Sequence, residues 1–120
     1  MKKITALTFG FLIVASAFCQ SDLTLNLCGE ATKTSVNQFE KCRSVEVAQD
    51  GYKVFGFVVR YMINKDTLKE FKLPTNELTD EVIKDIAAYK PEKIYIENAN
   101  VIDVTGEAHT AKPLILTMEY

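Results

Sequence analysis

The sequence has few of the residues that catalysis and metal binding usually need. Its 120 residues include one histidine, three cysteines, five isolated glycines and no tryptophan. A single histidine cannot build a multi-histidine metal centre, and the cysteines lack the C-x2-C spacing of zinc sites. Without a glycine-rich phosphate loop or a G-x-S-x-G motif, no nucleotide site or catalytic serine is predicted. We therefore expect no catalytic residue, no cofactor and no metal, and predict that the protein is not an enzyme.

The net charge of the protein is also small. The formal net charge is −2, and the lysines are scattered along the chain instead of forming a basic stripe. Nucleic acids and anionic membrane surfaces attract proteins through clustered positive charge. The composition therefore predicts no nucleic-acid partner and no electrostatic attachment to a membrane.

The longest apolar run lies at the N-terminus. It covers residues 4–14, follows two lysines and precedes three small residues. A bilayer-spanning helix needs about 20 apolar residues, which this run does not reach. A short positive segment, an apolar run and small residues together are typical of a secretory signal peptide. We predict that residues 1–19 are a signal peptide and that residues 20–120 form one exported domain.

Cys19 decides how the signal peptide would be removed. Cleavage after Cys19 places Ala17 and Cys19, both small, at the two positions that a general signal peptidase recognises. The lipoprotein route would cut before Cys19, where the large Phe18 is unfavourable. We expect a mature periplasmic or secreted chain that begins at Gln20. The alternative is an outer-membrane lipoprotein, attached to the membrane only through an acylated Cys19.

Two cysteines remain in the mature chain, Cys28 and Cys42. In an exported protein an even pair of cysteines most simply forms a disulfide. The alternative is two unpaired, small apolar side chains. Export favours the bridge, because the compartments outside the cytoplasm are oxidising.

Most of the mature chain has the patterns of β-strands. Leu23, Leu25 and Leu27 alternate with polar residues and predict a first strand. Residues 52–63 predict a longer strand, in which Gly56 indicates a bulge or a close backbone approach. The odd positions of that strand are expected to form one buried face: Phe55, Phe57, Val59, Tyr61 and Ile63.

One helix is predicted over about residues 79–89, before the last two strands. Thr79 can cap it, and Val82, Ile86 and Tyr89 lie on one apolar stripe. Strands with one helix late in the chain predict an α+β fold, mainly an antiparallel sheet or a small β-sandwich. The core is expected to contain residues from the long strand, the helix and the last two strands: Phe57, Val59, Ile86, Ile96 and Leu116.

Four polar residues are candidate partner contacts. Asn98 and Asn100 lie where the strand alternation changes phase, which predicts a bulge. Their side chains either satisfy backbone groups at that bulge or face a partner. Glu107 and His109 lie in a polar turn, where a histidine is expected to be a solvated surface residue.

The second half of the chain, including the stretch LPTNELTDEVIKDIAAYKPEKIYIENANVIDVTGEAHTAKPLILTMEY, resembles a known family. Residues 52–120 are similar to the C-terminal domain of GldM, a protein of gliding motility and type IX secretion. The similarity follows a helix start, an amphipathic helix, a strand of the K-V-Y-I-E-N-I type, a turn and a last strand. The matching residues are Asn76, Leu78, Thr79, Ile83 or Ile86, Lys93, Ile94, Tyr95, Ile96, Glu97, Asn98, Gly106, Pro113 and Ile115.

The resemblance implies a non-enzymatic protein-interaction module whose partner is another cell-envelope protein. Two alternatives come from other functional classes. A carbohydrate- or small-ligand-binding module would use exposed aromatic side chains, for which Tyr52 and Tyr95 are the candidates. An exported inhibitor-like domain would insert the loop between Cys28 and Cys42 into a hydrolase.

Overall fold

The computed structural model describes residues 23–120, which form ten strands and two helices. The predicted signal peptide and its cleavage site at Cys19 lie outside these residues. The strands are β1 (Leu25–Leu27), β2 (Lys33–Ser35), β3 (Val45–Val47), β4 (Tyr52–Val54), β5 (Phe57–Met62), β6 (Leu68–Leu73), β7 (Lys93–Glu97), β8 (Val101–Asp103), β9 (Ala108–His109) and β10 (Leu114–Glu119). The helices are α1 (Val36–Lys41) and α2 (Asp80–Tyr89).

The strands form three sheets. The main sheet has five strands in the order β2-β10-β7-β5-β6, and a hairpin sheet has three in the order β9-β8-β4. The third sheet pairs β1 with β3. All pairs are antiparallel except β2 with β10, which run parallel. The predicted α+β class with mainly antiparallel strands is therefore confirmed.

The number of helices differs from the prediction. Thr79 caps α2, where its hydroxyl accepts a hydrogen bond from the Val82 amide. Four short strands follow α2 instead of two, because turns divide the last part of the chain. A second helix, α1, lies in the polar segment between the two cysteines. Among residues 23–120, no helix is long and apolar enough to cross a membrane.

The core joins the main sheet to α2 and to the third sheet. The five predicted core residues, Phe57, Val59, Ile86, Ile96 and Leu116, are all buried in one cluster, which confirms the prediction. The alternating leucines at the start of the chain, Leu23, Leu25 and Leu27, are buried in the same cluster. Burial of such large apolar side chains is the main stabilising contribution in a domain of this size.

The predicted long strand is broken at Gly56, and its predicted face is wrong for Phe55. Phe55 is 55% exposed, whereas Phe57 is 3% exposed. Phe55 and Gly56 both bond to Asn100, so two residues face one and the alternation shifts. A Cβ on Gly56 would lie 3.1 Å from the Leu73 carbonyl oxygen. This confirms the predicted close approach and explains why the strand divides here.

Cys28 and Cys42 form the predicted disulfide, with their Cα atoms 5.9 Å apart. The bridge closes a segment that contains β2 and α1. Ser35 caps α1 by accepting a hydrogen bond from the Gln38 amide, and Phe39 is buried in the core. The segment is therefore folded structure attached to the main sheet, and not an open loop of the kind that the inhibitor-like alternative would insert into a hydrolase.

A polar cluster fixes α2 on the main sheet. The Tyr61 hydroxyl donates to Asp85 Oδ2, and Lys69 Nζ lies 2.9 Å from Asp85 Oδ1. Burial would raise the pKa of the Asp85 carboxyl, but the hydrogen bonds from Tyr61 and Lys69 outweigh it and lower this pKa. Burial, together with the bond to Asp85, raises the pKa of the Tyr61 hydroxyl far above its usual value. Because Tyr61 is fully buried, its hydroxyl bonds Asp85 from within the core and connects β5 to α2.

These two shifts predict opposite limits of pH stability. Asp85 has a lowered folded pKa, so its contribution is present above the unfolded value of about 3.9 and is lost as the pH falls. Tyr61 has a raised folded pKa, so its contribution is lost as the pH rises above about 10. We expect Tyr61→Phe to cost about 2 kcal/mol at neutral pH, the usual value of a hydrogen bond to a charged group. The substitution should also reduce the fall in the free energy of unfolding above about pH 10, which we call the alkaline limb of the stability profile.

Urea unfolding at a series of pH values measures both limits. Asp85→Asn should flatten the acid limb in the same experiment. If Tyr61→Phe retained the alkaline limb of the wild type, another group would be responsible for it.

Candidate functional site

Three of the four predicted contact residues lie in the hairpin sheet or directly next to it. Glu107 and His109 belong to the β8–β9 hairpin, and Asn100 immediately precedes β8. Asn98 is exposed in the link from β7 and has a φ of 53°. The change of phase here is not the predicted bulge within one strand, because β7 belongs to the main sheet and β8 to the hairpin sheet. The Asn100 amide donates to the Gly56 carbonyl oxygen at 2.8 Å, and its own carbonyl accepts from Phe55. The backbone of Asn100 thus pairs with the bulge formed by Phe55 and Gly56, while its side chain stays exposed.

Asp103 organises the β8–β9 hairpin. Its Oδ1 accepts three hydrogen bonds: from the Thr105 amide at 2.8 Å, the Thr105 hydroxyl at 2.6 Å and the Glu107 amide at 3.0 Å. The Thr105 hydroxyl, then His109 and the Glu107 amide, hold the pKa of the Asp103 carboxyl well below its usual range. Asp103 is therefore a fixed negative charge at the end of the hairpin.

His109 is not the solvated surface residue that its turn sequence predicts. Its Nε2 lies 2.7 Å from Asp103 Oδ2, and its side chain is 34% exposed. The Tyr52 ring meets the imidazole edge to face, with ring centroids 5.4 Å apart. Because Tyr52 and Asp103 are register partners in β4 and β8, the pairing of these strands positions both contacts.

The hairpin therefore gathers three potential ligand groups into what we call the hairpin cluster: Asp103, Glu107 and His109. One ligand atom from each lies within 4.8 Å of the others. The sequence pattern predicted neither Asp103 as a ligand nor a metal, because the spacing D-x3-E-x-H matches no familiar ligand motif. The available signal was Gly106, whose φ of 88° lets the turn bring these positions together.

The opposite side of the hairpin sheet carries apolar residues towards solvent. Lys53, Ile102 and Ala108 are consecutive register partners across the three strands. Phe55 comes two residues after Lys53, just beyond β4, and Val104 comes two residues after Ile102, just beyond β8; they are 55% and 86% exposed. Because β4 and β8 are antiparallel, the two side chains lie towards opposite ends of this side of the sheet. We call Phe55, Ile102 and Val104 the outer face of the hairpin sheet. Since side chains alternate along a strand, the buried Val54 and Val101 point the other way.

Two shallow hollows include tyrosine side chains. One, of about 620 Å³, lies between β3 and β4 and includes Tyr52 and Phe55. The other, of about 500 Å³, lies beyond the end of α2 and includes Tyr89 and Tyr95. The two tyrosines predicted for carbohydrate binding, Tyr52 and Tyr95, thus line different hollows and do not form one aromatic platform.

Comparison with known proteins gives no relative from which to transfer these features. No family model matches the sequence, and no curated protein matches it. The similarity of residues 52–120 to the GldM C-terminal domain stays a prediction.

Proposed function

We propose that the protein is a non-enzymatic, exported protein-interaction module that binds another cell-envelope protein through the outer face. The observation that carries this proposal is Phe55, a large aromatic side chain that is more than half exposed in the link between β4 and β5. Aromatic residues dominate the binding energy of protein interfaces. The Phe55 amide donates to the Asn100 carbonyl oxygen at 2.8 Å, so the backbone beneath the ring is already ordered. Less conformational freedom is then lost on binding.

Two of the four polar residues predicted as partner contacts, Asn98 and Asn100, fit the rim of such an interface. Asn100 lies beside Phe55, whereas Glu107 and His109 lie in the same hairpin sheet on the side opposite to the outer face, since His109 is the register partner of Val101. Protein interfaces commonly combine an apolar centre with a polar rim. We assign Asn98 to the same rim because it is exposed in the adjoining link.

The arrangement of the hydrogen-bonded groups around Asp103 supports a non-enzymatic function. In a hydrolytic triad the histidine lies between the nucleophile and the acid, so that it can take the nucleophile's proton. Here Asp103 lies between the Thr105 hydroxyl and the His109 imidazole. The imidazole therefore does not activate that hydroxyl.

The cellular setting is part of the proposal. The disulfide between Cys28 and Cys42 fits an oxidising compartment. Together with the signal-peptide pattern of residues 1–19, it supports a periplasmic or secreted protein, with a lipoprotein acylated at Cys19 as the alternative. The resemblance to GldM suggests that the partner belongs to gliding or type IX secretion machinery.

A pull-down from envelope extract tests the outer face. Protein bait should recover a specific partner, and Phe55→Ser should lower the affinity of the purified pair by roughly 30-fold, the effect of losing about 2 kcal/mol at a hot spot. Leu68→Ser is the matched control, because Leu68 is 54% exposed but lies on the edge strand of the main sheet. It should leave the affinity unchanged.

Two results would contradict the proposal. Equal weakening by both substitutions would mean that Phe55 has no special part in recognition. Recovery of a glycan instead of a protein would favour the carbohydrate-binding alternative, and Tyr95 in the hollow beyond α2 would then be the residue to substitute.

A further inference from the structure

We propose that the hairpin cluster of Asp103, Glu107 and His109 binds one divalent transition-metal ion of the Zn²⁺ class, with water in the remaining positions. The three ligand atoms lie within 4.8 Å of one another. Zn²⁺ sites with open positions commonly use three protein ligands drawn from imidazole and carboxylate groups. The inference does not depend on the partner protein, because all three ligands come from one hairpin.

The Asp103 carboxylate is oriented in advance. Its Oδ1 is held by the amides of Thr105 and Glu107 and by the Thr105 hydroxyl, which leaves Oδ2 as the atom directed at His109. Hydrogen bonds to the non-ligating oxygen are the usual way in which proteins fix a metal-binding carboxylate. Asp103 would therefore bind the ion through Oδ2 alone.

For the ion to bind, the Nε2 atom of His109 must carry no hydrogen. Its Nε2 now lies 2.7 Å from Asp103 Oδ2, a hydrogen-bond distance. In the complex the imidazole carries its hydrogen on Nδ1, and the Nε2 lone pair goes to the metal. For metal–ligand bonds of about 2.0–2.2 Å in a tetrahedral arrangement, the two atoms must move apart by about 0.6–0.9 Å. Tyr52 packs against the ring and limits how far it can turn.

The local charge favours a cation. Two carboxylates lie beside one imidazole, and along residues 23–120 no lysine or arginine forms an ion pair with Asp103 or Glu107. A divalent ion would neutralise this excess negative charge. The imidazole selects the class of ion, because Ca²⁺ and Mg²⁺ prefer oxygen ligands alone, whereas Zn²⁺ accepts nitrogen and oxygen.

Zinc titration of the untagged, disulfide-bonded protein tests the site. His109 is the only histidine in the chain, so its imidazole signals in proton–nitrogen correlation spectra have no overlap. We expect saturable binding of one Zn²⁺ per chain by calorimetry, together with a shift of the Nε2 signal and a hydrogen on Nδ1. Ca²⁺ should produce neither change.

Matched variants separate the three-ligand site from simple imidazole binding. Glu107→Gln should weaken Zn²⁺ binding at least roughly tenfold, since even supporting partners of a metal ligand contribute that much. Glu92→Gln is the control, because Glu92 is an exposed glutamate just before β7 and should have no effect. Equal affinity of the Glu107 and Glu92 variants, or no saturable binding to the wild type at millimolar Zn²⁺, would overturn the proposal.

Discussion

Replacing Phe57 by alanine should lower the free energy of unfolding by about 3–5 kcal/mol, the usual cost of truncating a buried aromatic side chain. Phe57 is 3% exposed and lies in β5, opposite Leu73 of β6. The neighbouring backbone is held close by Gly56, where a Cβ would lie 3.1 Å from the Leu73 carbonyl. Because this close contact limits how far the strands can collapse, much of the cavity should remain. Urea or thermal unfolding measures the loss.

Phe55→Ala is the internal control for this prediction. It removes the same ring two residues earlier in the chain, where the side chain is 55% exposed. Its effect should stay within about 0.5 kcal/mol, as for most surface substitutions. Comparable losses from both substitutions would mean that the alternation does not shift at Gly56 and that the assigned strand faces are wrong.

Removing the disulfide should have the second-largest effect. The double substitution Cys28→Ala, Cys42→Ala should lower the free energy of unfolding by about 3 kcal/mol, because a loop of this size gains that much freedom in the unfolded chain. Cys28 has a φ of 55°, a conformation that alanine finds as unfavourable as cysteine does, so backbone strain is unchanged. The difference therefore measures the bridge.

Amide hydrogen exchange can show which elements lose stability when the disulfide is removed. The bridged segment contributes β2, which pairs with β10, and α1, which buries Phe39. Amides of these elements should lose protection before those of β5 and β7. A double variant that unfolds within about 1 kcal/mol of the wild type would show that packing of β2 and α1 suffices without the bridge.

The sequence predicted the parts of the fold that depend on local pattern. The alternating leucines of 23–27 had one strong periodicity and a single buried face. The disulfide was predicted from the even number of cysteines in the expected mature chain and from the expected oxidising compartment. The five predicted core residues came from separate elements, yet all five meet, because each lay on a clear apolar face.

The remaining features depend on contacts that a single sequence does not display. Helix α1 has only six residues, and it is held by the buried Phe39 and by the disulfide at its end more than by its own periodicity. The exposure of Phe55 follows from two residues facing Asn100 across the sheet. The hairpin cluster depends on how the turn at Gly106 folds, since Asp103 looks like an ordinary turn residue in the sequence.

The position of β10 has a consequence for the timing of folding. Although it is the last described strand to be synthesised, it lies inside the main sheet, between β2 and β7. Its residues Leu114, Leu116 and Met118 fill the core, so the sheet cannot close until residues 114–119 are available. Until then β2 has no neighbour in the main sheet, and one side of β7 is unpaired. Strands β5, β6 and β7 can pair with one another earlier, but the five-stranded sheet is completed only after residues 114–119 have been synthesised.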